Sequence, residues 1–364
     1  MSEAADLHFM RLALAEAKKG KGRTAPNPCV GAVLVLNGQI IGSGWHKKTG
    51  TPHAEIHAIA DAGGAAACAG ATLYVTLEPC NHTGRTSPCS RAVLAAGIAR
   101  VVVGMADPNP VAAGGAEFLR SQGVIVEMGI LEEKCRQLNR PFIKHSSTAL
   151  PWVVLKAGMS LDGKISRMRG QGGAITGPES QRRTHELRDE LDAILIGIGT
   201  ALIDNPALTC RLEQGRDPLR VILDSQLRLP PEAKMLRQQS AAQTWIFCRT
   251  DACAEKQRKL EEAGAVVHRV AANENGQLDL KQVLRILGQS NITSVLVEGG
   301  AAVHGAFLRA GLADEACLFV APCFIGENGT PLLTGDAPEA LLTELTAEKL
   351  GEDVLLRGLL RKTD

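Results

Sequence analysis

Apolar, β-branched runs alternate with amphipathic stretches along nearly the whole chain, and this restricts the fold to layered α/β architectures. In the C-terminal part the strand-like runs are Trp152 to Lys156, Ala193 to Ile198, Arg220 to Leu223, Thr244 to Cys248, Ala265 to Val270 and Ser294 to Val297. Helical segments around Glu179 to Glu190, Ala254 to Ala263 and Leu280 to Leu287 lie between several of them. Parallel strands need crossovers of this kind, so the pattern predicts an open, mainly parallel sheet with covering helices. Leu318 to Ala321 and Val354 to Leu360 are expected as antiparallel edge strands.

The N-terminal part reads as a separate α/β unit. Residues 3 to 19 form an amphipathic helix, with Leu7, Met10, Leu14 and Ala17 on one stripe and Gly20 and Gly22 stopping it. Cys29 to Leu36 and Gln39 to Ser43 are strands joined by Asn37-Gly38, a strong hairpin signal. A helix from about His53, a strand from Thr72 to Leu77 and a helix opened by Pro88 and running through Ala96 follow. Val101 to Gly104 and Val124 to Met128 are further strands. A chain of 364 residues exceeds one ordinary core, and the small polar residues of Lys144 to Pro151 suit a linker. The expected domains are therefore 1–147 and 148–364.

Composition narrows the function. With 40 basic against 39 acidic side chains, the chain lacks the excess that drives binding to polyanions, so bulk nucleic-acid affinity is not expected. Neither a signal peptide nor a run of about 18 apolar residues is evident, so membrane insertion is not expected and the cytoplasm is the expected compartment. The ten cysteines then read as free thiols or metal ligands.

The decisive chemistry lies in His53-Ala54-Glu55, followed by Pro79-Cys80 and Cys89. One imidazole and two thiolates suit zinc, and three protein ligands leave a fourth position open to water. Two residues after a ligand at a helix start, Glu55 can face that position and shuttle protons. His-x-Glu with a later Pro-Cys and second Cys is the arrangement of zinc nucleobase deaminases. A structural zinc would want four protein ligands. His57 could supply one, but Glu55 would then have no role, so His57 reads as a locally packed helix residue. His82 and Cys29 are weaker alternatives as ligands.

Many deaminases of this fold have Cys-x-x-Cys, whereas eight residues separate Cys80 from Cys89 here. The segment Glu78-Pro-Cys-Asn-His-Thr-Gly-Arg-Thr-Ser-Pro-Cys89 resembles the deaminase half of the RibD family, the bifunctional deaminase/reductases of riboflavin biosynthesis. Thr24 to Gly31 and, in slightly varied form, Gly42 to Glu55 carry the same resemblance. It implies a cytidine-deaminase-like N-terminal domain, with Glu55 catalytic and His53, Cys80 and Cys89 on zinc. It also implies that Asn27 contacts the ring or ribose of the substrate, and His82 and Arg85 its phosphate.

Alone, the C-terminal half says less. Gly197-x-Gly199-Thr200 and Glu298-Gly-Gly300 each follow a strand, where backbone N–H groups could meet phosphate, but each is a weak signal. Together with Lys156 to Gly163, Gly199 to Thr209, Asp224-Ser225 and Val297 to Gly300, they resemble the reductase domain of the same family. The resemblance implies a dihydrofolate-reductase-like fold that uses NADPH to reduce the ribosyl group of the deaminated product to ribityl. Cofactor contacts would then fall on Gly158, Ala174, Thr200, Asp204, Ser225 and the run Gly300, Ala301, Ala302, Val303, His304, Gly305 and Ala306. Substrate contacts would fall on Gly172, Arg188, Leu208, Arg211 and Glu298. Some members carry Trp where Ala174 stands, which removes a stacking surface here, and Gly172 can offer only backbone. An i,i+4 pair with Asp192 is the alternative reading of Arg188, and a helix cap that of Glu298.

The partner implied is a small phosphoribosyl pyrimidine substrate, with a homo-oligomer expected and neither nucleic acid nor membrane. The competing reading is a nucleic-acid or nucleoside deaminase with an unrelated C-terminal nucleotide-binding domain.

Overall fold

The computed structural model describes residues 2–82, 87–336 and 339–362. The chain divides into two compact units, Met1–Ala149 and Leu150–Asp364.

The first unit runs α1 (Glu3–Lys18), β1 (Gly31–Leu36), β2 (Gln39–Trp45), α2 (Ala54–Asp61), β3 (Thr72–Leu77), α3 (Cys89–Ala95), β4 (Arg100–Met105), α4 (Gly115–Ser121), β5 (Ile125–Met128), α5 (Glu132–Leu138) and α6 (Arg140–Thr148). Its sheet has the order β2-β1-β3-β4-β5. The β1–β2 hairpin and the β1–β3 pair are antiparallel, whereas β3, β4 and β5 run parallel. Every residue of β3 is buried, as expected of a central strand covered on both faces. Helix α2 lies directly on β2. A Cβ at Gly44 would stand 2.7 Å from the Ala58 backbone nitrogen, and one at Gly42 would strike the Ala58 carbonyl. Glycine at both positions lets the backbones of helix and strand touch.

The expected linker is partly helical. Pro141 suits the first turn of α6. The hydroxyls of Ser147 and Thr148 then fold back onto the Lys144 carbonyl at 3.1 and 2.7 Å, so these small polar residues extend a helix rather than a loop.

The second unit runs β6 (Trp152–Ser160), β7 (Lys164–Ser166), α7 (Pro178–Glu190), β8 (Ala193–Gly197), α8 (Ile198–Asp204), β9 (Leu219–Leu223), β10 (Thr244–Arg249), α9 (Ala254–Glu262), β11 (Ala265–Val270), α10 (Leu280–Gln289), β12 (Ser294–Gly299), α11 (Ala301–Arg309), β13 (Glu315–Ala321), β14 (Thr330–Pro331), β15 (Ala340–Leu350) and β16 (Asp353–Lys362). Its nine-stranded sheet has the order β11-β10-β9-β8-β12-β6-β13-β16-β15. From β11 to β13 neighbouring strands are parallel. The β16 and β15 strands continue the sheet antiparallel.

Two expectations fail at this end. The segment containing Leu318 to Ala321 is interior, parallel to β6, and not an antiparallel edge. Val354 to Leu360 is antiparallel, but it too is interior. The edge is β15, whose Ala-Leu-Leu-Thr-Glu-Leu-Thr-Ala-Glu-Lys-Leu composition favours helix. Pairing with β16 along most of its length overrides that preference. All ten cysteines are free thiols. Among the described residues no helix is long and apolar enough to cross a membrane.

Replacing Gly44 by Ala is expected to force α2 off β2. This should cost about 1–3 kcal/mol, read as a lower urea midpoint. An unchanged midpoint would refute the close-contact account.

Candidate active sites

In the first unit, three element ends meet. His53 is the extended residue that caps α2, Cys80 follows β3, and Cys89 is the first residue of α3. The His53 Nδ1 lies 3.2 Å from Cys89 Sγ and 3.6 Å from Cys80 Sγ, and the three ligand atoms all fall within 4.8 Å of one another. Around a tetrahedral zinc, nitrogen and sulfur ligands stand about 3.6 Å apart, so the donor set fits the ion in both chemistry and spacing. Hydrogen bonds from Cys89 and His53 pull the Cys80 thiol down towards the thiolate. His53 is raised by its hydrogen bond to Cys80. Metal binding needs thiolates and neutral imidazole, so it displaces the protons that these groups share.

The segment between the cysteines is closed at its base. The Ser90 backbone N–H donates to the Cys80 carbonyl at 3.2 Å, and the Ser90 hydroxyl to Asn81 Oδ1 at 2.8 Å. Glu78 accepts backbone N–H groups from Asp107, Gly114 and Ala116 at 3.2, 3.0 and 2.9 Å. It thereby fixes the end of β3 against the loop that follows β4.

Glu55 sits in the first turn of α2, 3% exposed, and burial raises its pKa. A buried carboxyl in this position can hold a proton and return it to a group beside it. His57 packs its Cβ over Gly44 and is not part of the ligand cluster. Asn27 Nδ2 lies 3.1 Å from Nε2 of His46, whose ring stands edge-on to His53 with centroids 5.3 Å apart. His46 was not singled out in the sequence, although it lies inside the Gly42 to Glu55 run. Its position next to His53 becomes visible only when β2 turns back over α2. His82 is half-buried, with Nδ1 lacking a partner. Arg85 lies outside the described residues.

In the second unit a cavity opens at the carboxyl ends of β6, β8 and β12, where ligands of open α/β sheets usually bind. Of the residues named from sequence, Gly158, Gly172, Thr200, Asp204, Glu298, Gly300, Ala301 and His304 line it. A Cβ at Gly172 would run into the Asp204 carboxylate, so glycine is the residue that lets this loop close over Asp204. Arg188 does not pair with Asp192. Its Nε and Nη2 reach the two Glu298 oxygens at 2.7 and 2.8 Å, and its Nη1 reaches the Thr209 carbonyl at 3.0 Å. Asp192 is instead taken up by Thr293 and Ser294. Nor does Glu298 act as a cap for α11; it is the centre of a charged trio.

Lys156 completes that trio, with Nζ 4.0 Å from Glu298 Oε2. Burial alone would raise Glu298, but the Arg188 and Lys156 charges hold it at about 2. Burial lowers Lys156. Lys156 was quoted in the sequence only as the start of a matching run, yet it lines the cavity. Ala174, Arg188, Leu208, Arg211, Ser225, Ala302, Val303, Gly305 and Ala306 are not among the lining residues. Leu208 is buried in an apolar cluster with Ile196 and Ile222, and the Arg211 backbone N–H donates to His185 Nδ1 at 3.3 Å.

Comparison with known proteins decides the family. Residues 151–356 match the RibD C-terminal domain, and residues 3–105 the zinc-binding region of cytidine and deoxycytidylate deaminases. The riboflavin biosynthesis protein RibD of Bacillus amyloliquefaciens is 41% identical over 97% of this chain and 95% of its own length. The chain belongs to the RibD family. The RibD of Escherichia coli (strain K12) is 39% identical over 96% of this chain and 98% of its own. A solved structure of a diaminohydroxyphosphoribosylaminopyrimidine deaminase/5-amino-6-(5-phosphoribosylamino)uracil reductase from Thermotoga maritima superposes with a TM-score of 0.86. It is 35% identical and covers 99% of both chains. Acinetobacter baumannii RibD superposes with a TM-score of 0.87 at 36% identity, covering 99% of this chain and 100% of that one.

As a RibD-family member the chain is a bifunctional deaminase and reductase of riboflavin biosynthesis, with zinc and NADPH as cofactors. Its fold pairs a cytidine-deaminase-like N-terminal domain with the RibD reductase domain. The alternative of an unrelated C-terminal domain falls, because residues 151–356 match the same family.

The ligand set predicts about one zinc per chain by elemental analysis, and Cys80→Ser should lose metal and deamination together. Separately, Arg188→Ala leaves a buried carboxylate short of its main partner. It should destabilise the second unit by about 3–5 kcal/mol in denaturant titration, and a loss below about 1 kcal/mol would contradict the pairing.

Proposed function

We propose that residues 1–147 carry out the zinc-dependent hydrolysis of diaminohydroxyphosphoribosylaminopyrimidine, and that residues 148–364 carry out the NADPH-dependent reduction of the aminouracil product. The observation that carries this reading is the convergence of His53, Cys80 and Cys89 beside the buried carboxyl of Glu55. Zinc held by that trio supplies a Lewis acid that makes water a nucleophile near neutral pH. Glu55 takes the proton released as the water oxygen bonds to the ring carbon, and returns it to the departing amine, which leaves as ammonia. Asn27, in hydrogen-bond contact with His46, orients the ring or ribose, and His82 and Arg85 receive the phosphate.

In the second unit NADPH, when bound, would supply the hydride that reduces the ribosyl carbon and opens the ring to ribityl, with the released oxygen taking a proton from solvent. Thr200, Asp204, Gly158, Gly300, Ala301 and His304 line the cavity that would hold the cofactor, and the family resemblance adds Ser225, Ala174, Ala302, Val303, Gly305 and Ala306. Gly172, Arg188, Leu208, Arg211 and Glu298 position the substrate. The bidentate Arg188–Glu298 pair keeps the carboxylate ionised and fixed in direction. The enzyme is a cytoplasmic homo-oligomer acting on a small molecule, and engages neither nucleic acid nor membrane. Balanced charge supports the absence of nucleic acid, and ten free thiols support a reducing compartment.

Glu55→Gln should keep zinc while deamination falls by roughly two to four orders of magnitude. The same variant should reduce pre-deaminated substrate at close to the unaltered rate. Conversely, Asp204→Ala with Glu298→Ala should impair reduction and spare deamination. Initial rates of each half-reaction on its own substrate decide the matter. Loss of both activities in a folded Glu55 variant would mean that the two functions are not divided between the units.

A further inference from the structure

The resemblance to the zinc-binding region of cytidine and deoxycytidylate deaminases ends at residue 105, yet the first unit continues to Ala149. One residue of that continuation reaches back to the loop that carries Asn27. Asn139, at the corner between α5 and α6, is 1% exposed. Its Oδ1 accepts the Cys29 backbone N–H at 2.8 Å, while its Nδ2 donates to the Cys29 carbonyl at 3.0 Å and to the Cys135 carbonyl at 3.3 Å. An amide side chain thus pairs with both backbone groups of one residue, as a neighbouring strand would. From the other end, the Thr49 hydroxyl contacts the carbonyls of Thr24 and Ala25 at 2.7 and 3.0 Å. Between these two points the loop makes a turn, the Asn27 N–H donating to the Thr24 carbonyl at 2.8 Å.

The fixed loop holds Asn27 against His46, and His46 is itself anchored. Its backbone N–H donates to the Val30 carbonyl at 2.9 Å, and Nδ1 lies 3.2 Å from the Pro52 carbonyl. None of these contacts involves a zinc ligand side chain or Glu55. A clamp of this kind sets where the substrate's ring and ribose rest without altering the reacting atoms. We propose that Asn139 and Thr49 are positioning residues of the deaminase site, acting through Asn27 to set substrate binding. This rests on the assignment of Asn27 as a substrate contact in the deaminase reaction.

The test uses the full-length, zinc-loaded protein and the diaminopyrimidine ribosyl phosphate as substrate. Asn139→Ala should raise the deaminase KM about tenfold, the equivalent of one good hydrogen bond's orientation, with kcat within about twofold and zinc retained. In an Asn27→Ala background the same change should move KM less than about twofold, since residues acting through one contact are not additive. Thr49→Val, at an exposed position, should show a smaller KM rise with the same dependence on Asn27. Additive effects, a fall in kcat matching that in kcat/KM, or zinc loss would each overturn the proposal. If Asn139→Ala does not fold, Thr49→Val decides, and an unchanged KM there overturns it. Absence of deamination in the unaltered protein would instead strike at the assigned reaction.

Discussion

Parallel pairing between buried strands forces each loop that follows a strand onto the same end of its sheet, and both candidate sites inherit their location from that constraint. In the first unit β3 and β4 run parallel, so Cys80 leaves β3 at the end where the loop after β4 also emerges, and Glu78 ties the two together. In the second unit Gly158, Thr200 and Glu298 lie towards or beyond the carboxyl ends of β6, β8 and β12, where β12 pairs parallel with both of the others. Residues far apart in sequence are therefore gathered without any local signal requiring it.

Close approach then sharpens each gathering. The glycines of β2 bring α2 near enough for His53 and Glu55 to face the cysteines, and Gly172 lets its loop close on Asp204. Burial supplies the electrostatics. A carboxyl shut away from water, as Glu55 is, gains affinity for a proton, whereas one gripped by two cations, as Glu298 is, loses it. The same side-chain chemistry is thus tuned in opposite directions by its surroundings.

Much of this was legible in the chain itself. The zinc set could be read because its spacing is constrained by a single ion, and most strands because they are apolar and β-branched. The start of α10 was equally local, since Asp279 caps it by accepting from Lys281 and Gln282. By contrast, Gly177 offers no side chain to the start of α7, where Asp353, at the start of distant β16, bonds the Gly177 N–H and the Ser180 hydroxyl. No pattern near residue 177 announces that partner. The roles of His46, Lys156 and Asn139 were hidden for the same reason: each depends on a neighbour that folding supplies. The β15 strand was missed because an edge strand is decided by its partner's hydrogen bonds more than by its own composition.

The position of β6 carries a consequence for the order of assembly. It is the first strand of its unit to be synthesised, yet it lies between β12 and β13, which come well over a hundred residues later. Its apolar residues must therefore wait, uncovered on both hydrogen-bonding edges, until nearly the whole unit has been made. Contacts of such long sequence separation fold slowly and leave a sticky intermediate. The strand that begins the second unit is among the last to find its neighbours.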